Sequence, residues 1–562
     1  MNGLMGKRES VETVNGVENL QRAMADWLAD RARASPGATA LIEAGSGERL
    51  SYADLDERVE ALAAGLARVG IGRGDHVGIV LEVEPRTVAL VHAVARRGAV
   101  LVTLSGRLTA GELETRVRRA DCEVLVYGDS AEVAAGAIEE DTQVLPVDRL
   151  DRMGGDAIEG QEIDPIGRGE RTGDGVTNAG DGATGNGPAG SESVGLEEPL
   201  VVLFTSGTTG HPKAVVLTAG NVLASAAGSA VRLGTLPDDR WLVALSPSGM
   251  GGLAPIYRTV LYGSALVLRR EFDARGTLET LSERNCTLIS LVPTMLSRMV
   301  DVVESGEGGE DREDSGREEK GFPDSLRCVL LGGAPASLEL IERCRVANVP
   351  IYPTYGMTET ASQVATARPE ETFSEPGTVG RPLLGTQVQV VENGAPLVAG
   401  KRGELVISGP TVTPGYYDDP EANEEAFSEA GFHTGDIGYV DSDGRVWVTG
   451  RLDDRILTGG QTVDPREVSD VLRKHPAIRE AAIVGLASEQ WGQEVGAALV
   501  AERNTGSAAS EVDESEIEAF CRERLANYKL PRTIAVVDRL PRTVSGTVDR
   551  VALRDRLREG GD

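Results

Sequence analysis

Four short stretches of this chain carry residue types suited to chemistry on a polyphosphate. The first is Phe204-Thr205-Ser206-Gly207-Thr208-Thr209-Gly210-His211-Pro212-Lys213-Ala214, directly after the apolar run 200–203. Its glycines let backbone N–H groups turn toward an anion, its hydroxyls donate further hydrogen bonds, and its lysine supplies charge. The common P-loop spacing is absent. A plain flexible loop is the competing reading, and the composition straight after a strand disfavours it. The second stretch is Tyr355-Gly356-Met357-Thr358-Glu359-Thr360. There a carboxylate suits a hard cation such as Mg²⁺ and a neighbouring hydroxyl suits a phosphate oxygen; alone, the stretch also fits an exposed turn. The third, His433-Thr434-Gly435-Asp436, offers a carboxylate to a ribose diol, although Thr-Gly-Asp alone is more often a turn. The fourth, Gly450-Arg451-Leu452-Asp453-Asp454-Arg455-Ile456, reads by itself as a charged turn.

Such groups need a scaffold, and the length of 562 residues predicts several domains with ample core. From 23 to 127 helical and strand patterns alternate. Ser51 with Asp54 reads as a helix start, after which Leu55, Val59, Leu62 and Leu66 share one face. Strands are expected at 77–81, 100–104 and 123–127, and again at 241–245, 265–268, 287–291, 326–331 and 351–354. That rhythm predicts an α/β fold with doubly wound parallel sheets. Beyond 377 helices thin out, and strands at 388–391, 403–407 and 446–448 predict a small β-rich subdomain. From about 453 a helix at 465–474, strands at 481–484 and 497–500 and a helix at 516–526 predict a small α+β domain. Residues 151–198 and 304–320 are acidic and poor in apolar residues, and read as disordered insertions.

Composition excludes some partners. The formal charge is -31, from 57 basic and 88 acidic residues. So negative a chain is a poor match for nucleic acid or an anionic membrane. The acid is spread along the chain, and we read it as halophilic, an adaptation to a salty cytoplasm in which salt screens the repulsion. Cys122, Cys286, Cys328, Cys344 and Cys521 form no metal-binding spacing and read as buried thiols of a reducing compartment. Residues 1–12 lack a signal-peptide core and no transmembrane helix is expected.

The four stretches, in this order and spacing, resemble the adenylate-forming superfamily of acyl-CoA synthetases, luciferases and peptide-synthetase adenylation domains. The resemblance spans about 500 residues and implies an adenylate-forming N-terminal domain over 1–452 and a mobile C-terminal domain over 453–562. It implies ATP and Mg²⁺ as cofactors. Thr205, Ser206, Gly207, Thr208, Thr209, Gly210 and Lys213 would hold phosphates, with Thr358 on phosphate and Glu359 on the metal. Gly333, Ala334 and Pro335 would wall the adenine, which stacks on Tyr355 beside Gly356. Asp436 and Arg451 would grip the ribose, and Asp453 would be the hinge of a domain rotation between two half-reactions. The loop Thr458-Gly459-Gly460-Gln461-Thr462 resembles the one that enters the site for thioester formation.

One departure is sharp. Pro541-Arg542-Thr543-Val544-Ser545-Gly546-Thr547-Val548-Asp549-Arg550 resembles the closing motif of the family, whose catalytic lysine stands where this chain has Thr547. Three readings stay open: slow adenylation, replacement of the cation by Arg542 or Arg550, or loss of the first half-reaction. The acceptor is expected to be coenzyme A, with a separate carrier domain as the alternative. Residues 239–245, 291–296 and 355–363 look most like the branch whose substrate has an aromatic ring and two carboxylates. Thr294 and Ser362 are candidate polar contacts of that acyl pocket. Arg258 is placed either opposite the second carboxylate or, as such arginines more often are, at the surface. Gly249 stands where the family commonly has a histidine lining the acyl tunnel, which would reshape the pocket.

Overall fold

The computed structural model describes residues 26–128, 131–136, 138, 142–154, 195–205, 212–305, 321–452, 454–458, 461–488, 490–502, 514–542 and 548–559. Ser206, Gly207, Thr208, Thr209, Gly210, Asp453 and Thr547 lie outside the described residues, as does most of both acidic insertions. The edges of those insertions are ordered: 151–154 complete the helix Val147–Gly154 with Met153 buried, and 304–305 end the helix Pro293–Ser305. The expected boundaries at 151 and 304 are corrected accordingly. Met153 is one apolar residue in a polar run, a signal too weak to mark a packed turn.

Among the described residues the strands form four sheets. The first has nine strands. Its centre is parallel, in the spatial order Ile351–Tyr355, Cys328–Leu331, Leu288–Leu291, Arg240–Val243, Ala265–Leu268 and Thr39–Glu43. The second has seven strands, parallel from Pro199–Thr205 through Val100–Thr103, His76–Val80 and Cys122–Tyr127 to Gln143–Pro146. At its other edge Lys213–Thr218 and Gly415–Tyr416 are added antiparallel. The third sheet is antiparallel and carries Gln387–Glu392, Gly403–Ser408, Gly431–Val440 and Val446–Arg451. The fourth, in the C-terminal part, centres on Ile478–Ser488 and Gly492–Ala501, with the helices Pro465–Leu472 and Glu514–Arg522 contributing to its core.

These elements form where the local chemistry puts them. Ser51 and Asp54 close a reciprocal capping box at the start of Tyr52–Arg68, and Leu55, Val59, Leu62 and Leu66 are all buried on the face that enters the core. The central strands are apolar runs buried on both faces, as parallel strands covered by helices must be. All five cysteines are free and buried, and burial pushes the thiols of Cys286, Cys328 and Cys344 up to about 12.

One carboxylate clamps the amino ends of the strands that matter for the site. Asp239, 5% exposed, precedes Arg240–Val243. It accepts hydrogen bonds from Thr287 Oγ1 at 2.8 Å, Arg327 Nε at 2.8 Å and Leu236 N at 2.8 Å. Thr287 precedes the adjacent strand Leu288–Leu291 and Arg327 the strand beyond it, Cys328–Leu331, so three starts are tied to one side chain. Burial alone would raise the Asp239 carboxyl, but the hydrogen bonds from Arg327, Leu236 and Thr287 outweigh it and hold it below its ordinary value. A carboxyl depressed in the fold contributes stability above its unfolded pKa and loses it as pH falls through the folded value. Asp239→Ala is expected to cost about 3 kcal/mol at neutral pH, because Arg327 loses its counter-charge. In urea unfolding the gap between wild type and variant should shrink below about pH 4; a gap that ignores pH would refute the charged clamp.

Candidate functional site

The carboxyl ends of the clamped strands form one edge, where open α/β sheets take their ligands. Arg240–Val243 runs out toward Gly249, Leu288–Leu291 toward Thr294, Cys328–Leu331 into Gly333, Ala334 and Pro335, and Ile351–Tyr355 into Gly356, Thr358 and Glu359. The parallel register places these exits side by side, Leu291 opposite Leu331 and Leu331 opposite Pro353. Topology thereby brings the expected adenine wall, acyl-pocket residues and Thr-Glu pair to one edge of the sheet.

The turn after Tyr355 is tightly made. A Cβ on Gly356 would fall 1.6 Å from the carbonyl oxygen of Ser362, so only glycine fits this close approach. Thr358–Thr360 is a single 3₁₀ turn, followed by Ala361 and Ser362 at φ 50° and 106°. This backbone turns Glu359 inward, to 9% exposure. Burial pushes its carboxyl up, opposed by hydrogen bonds from its own backbone and from Tyr416 and by the charges of Arg451 and Lys213.

Three sheets meet at this turn. From the second sheet, the Tyr416 hydroxyl donates to Glu359 Oε1 at 3.2 Å and Thr413 N–H donates to Glu359 O at 2.8 Å. Ser225, on the helix Ala219–Leu233, donates to Ala361 O at 2.6 Å. From the third sheet, Asp436 Oδ2 accepts from the Tyr355 hydroxyl at 2.6 Å, and Arg451 Nε lies 3.4 Å from Asp436 Oδ1. Asp436 and Arg451 are direct partners across adjacent strands. Thr205 and Lys213 are likewise paired, across the ends of two antiparallel strands. The Lys213 ammonium sits 4.9 Å from the centre of the Tyr416 ring.

The donor set fits a cation bound with nucleotide. Among the described residues no three His, Cys, Asp or Glu side chains cluster for a metal. Glu359 is a single hard oxygen donor, and Mg²⁺ in nucleotide sites takes one or two carboxylates plus phosphate oxygens and water.

Arg258 is where the more common expectation fails. It is 2% exposed on the helix Met250–Tyr262 and does not reach the surface. Its Nη2 donates to Ser225 Oγ at 3.0 Å, and its guanidinium lies 5.8 Å from the Trp241 ring centre. Through Ser225 it is one hydrogen bond from Ala361 O, beside Ser362. Burial lowers its pKa, and no carboxylate among the described residues opposes this. Gly249 caps that helix, and a Cβ there would meet nothing within 4 Å, so the space a larger residue would take is open. The two arginines weighed as substitutes for the missing lysine are engaged with carboxylates in this conformation: Arg542 with Glu480 at 2.6 Å and Arg550 with Asp454 at 2.9 Å.

Sequence reasoning passed over Tyr416, Ser225 and Glu404. The turn-rich run Gly409-Pro410-Thr411-Val412-Thr413-Pro414-Gly415-Tyr416 marks a loop, but nothing local says what it meets. Glu404 splits its carboxylate between His433 Nδ1 at 2.9 Å and Gly435 N–H at 3.0 Å. It holds the bulge of the strand Gly431–Val440 in which Gly435 takes φ 67° and Asp436 is presented.

Residues 28–417 match the model of the AMP-binding enzyme family, and residues 467–547 match that of the AMP-binding enzyme C-terminal domain. The chain belongs to the AMP-binding enzyme family. It is 34% identical to the 2-succinylbenzoate–CoA ligase of Bacillus licheniformis over 525 residues, 93% of this chain and 98% of that protein. The o-succinylbenzoate CoA synthetase of Bacillus subtilis, in complex with the acyl-adenylate intermediate OSB-AMP, superposes with a TM-score of 0.80 at 32% identity, covering 95% of this chain and 98% of that one. The same enzyme in complex with ATP and magnesium ion gives 0.77 at 31% identity, covering 95% and 99%. A large N-terminal and a small C-terminal domain of mixed α/β structure are shared with these proteins. No described helix is long and apolar enough to cross a membrane.

Glu404→Ala should loosen the bulge at Asp436 and raise the KM for nucleotide about tenfold, the scale of a lost charge-assisted hydrogen bond. Glu404→Gln, which still accepts from Gly435, should recover most of it. Steady-state kinetics with varied nucleotide separate the two, and equal loss in both variants would exclude the hydrogen-bonding role.

Proposed function

We propose that this protein is an ATP-dependent ligase joining 2-succinylbenzoate to coenzyme A, a step of menaquinone synthesis carried out in the cytoplasm. The observation that carries this reading is the convergence of Lys213, Glu359 and the Tyr355–Asp436–Arg451 set around the turn that bears Glu359. The substrate acid attacks the α-phosphate of ATP to give an acyl-adenylate and diphosphate. The coenzyme A thiol then displaces AMP. Lys213 and the residues from Thr205 to Gly210 hold the leaving phosphates, Thr358 a phosphate oxygen, and Asp436 with Arg451 the ribose. Gly333, Ala334, Pro335 and the Tyr355–Gly356 segment bound the adenine. Glu359 would hold Mg²⁺, which neutralises charge developing on the phosphates.

The choice of acid rests on Arg258. A fully buried guanidinium with no carboxylate partner among the described residues is costly, and an incoming dicarboxylate would supply the counter-charge. Thr294 and Ser362 would add polar contacts, and the open space at Gly249 would admit the ring. ATP–pyrophosphate exchange with a panel of acids tests this. 2-Succinylbenzoate should be preferred over benzoate and fatty acids, and Arg258→Met should erase that preference on the order of 10²-fold. A preference for a monocarboxylate would overturn it. The acidic composition is read as salt adaptation, so exchange should rise with KCl; inhibition by KCl would refute that part.

The C-terminal part, 453–562, is proposed to rotate about Asp453 between the half-reactions. With threonine at 547, adenylation proceeds without the usual ammonium and is slowed. Single-turnover assays address both points. Thr547→Lys should raise the adenylation rate, by on the order of 10²-fold for one restored charge contact, and leave thioester formation from supplied adenylate unchanged. Asp453→Pro should impair thioester formation more than adenylation, because proline fixes φ. If Thr547→Lys gains nothing while Arg550→Ala abolishes adenylation, an arginine has taken the role of the lysine.

A further inference from the structure

We propose that Tyr416 is a positioning residue that presets both arms of the nucleotide site, one side chain holding the cation-facing carboxylate and the phosphate-facing ammonium at once. The hydroxyl donates to Glu359 Oε1 at 3.2 Å and the ring face carries the Lys213 ammonium 4.9 Å from its centre. The side chain is 7% exposed and its backbone is fixed on both sides. Tyr416 N–H donates to Asn423 Oδ1 at 2.7 Å, Asn423 Nδ2 donates to Tyr416 O at 3.0 Å, and Tyr416 pairs with Val215 in the strand that begins at Lys213. Thr413 N–H, three residues earlier, holds the Glu359 carbonyl at 2.8 Å.

This role rests on the reading of Lys213 and Glu359 as the phosphate- and cation-facing groups. The two come from different sheets and would otherwise be set only by long, rotatable side chains. A buried carboxylate needs a donor while it waits for a cation, and an ammonium needs a seat that it can leave at little cost. A tyrosine meets both needs. Phenylalanine would serve the lysine alone, and an aliphatic residue would serve neither. A residue that merely filled the core would affect nucleotide binding equally with and without metal.

Calorimetric titration of ATP, with Mg²⁺ and separately with EDTA, tests the assignment without turnover, alongside melting temperatures. Tyr416→Phe should bind ATP in EDTA as wild type does, while the gain in affinity on adding Mg²⁺ falls about tenfold. Tyr416→Leu should also weaken binding in EDTA, by about fivefold, as the ammonium loses its seat. In a Glu359→Gln background Tyr416→Phe should have no further effect, since the two act through one contact. If Tyr416→Leu does not fold, the nearly isosteric Tyr416→Phe decides alone. A Tyr416→Phe protein that titrates as wild type, or that loses equally with and without Mg²⁺, overturns the positioning role and leaves the site reading standing. A wild-type protein that binds no ATP, or binds it without regard to Mg²⁺, overturns the site reading itself.

Discussion

A buried carboxylate, Glu359, is the constraint on which the candidate site depends. Taking a carboxylate out of water is unfavourable unless hydrogen bonds and opposite charges replace the lost hydration. Here one hydroxyl from the second sheet and two cations, Lys213 and Arg451, supply that replacement. The turn that carries Glu359 also carries Ala361 and Ser362 at positive φ, a conformation that persists only when its surroundings hold it. Thr413 and Ser225 do so through the backbone carbonyls of Glu359 and Ala361. Three sheets are thus locked at the place where the candidate chemistry converges.

The two ends of the first sheet divide the work. At the amino ends Asp239 ties three strand starts together through Thr287 and Arg327, an arrangement that sets register. At the carboxyl ends the strands open into short turns with glycine at the points of closest approach. A misplaced strand start would shift Gly249, Thr294, Gly333 and Glu359 relative to one another, so the clamp bears on the site from the far side of the sheet.

Arg258 shows how a polar residue in an apolar run is to be weighed. Most such arginines reach water along their own aliphatic stems. This one cannot, because its helix is buried against the Trp241 strand and the Ser225 helix. Its guanidinium shares Ser225 with the Ala361 carbonyl, which links the proposed acyl-recognition group to the Glu359 turn. The groups proposed for substrate choice and for nucleotide handling are therefore linked in space, although Arg258 and Glu359 are far apart in the chain.

The order and type of most elements were legible in the sequence, because apolar periodicity and caps act locally. Ser51 with Asp54 and the stripe of Leu55, Val59, Leu62 and Leu66 specify a helix without reference to the rest of the protein. Of the four polar stretches, the loop before Lys213 stood out by residue type, glycines and hydroxyls ending in a lysine, whereas the other three also fit plain turns and took their expected roles from the resemblance. Local pattern did not reveal which groups face one another. The contacts of Tyr416 with Glu359, of Glu404 with Gly435 and of Arg258 with Ser225 join residues distant in the chain, and each depends on how separate sheets pack. The fate of Arg258 and the order of residues 151–154 were decided the same way. Burial is a property of the assembled core, and only tertiary structure determines whether a polar side chain finds water or a partner.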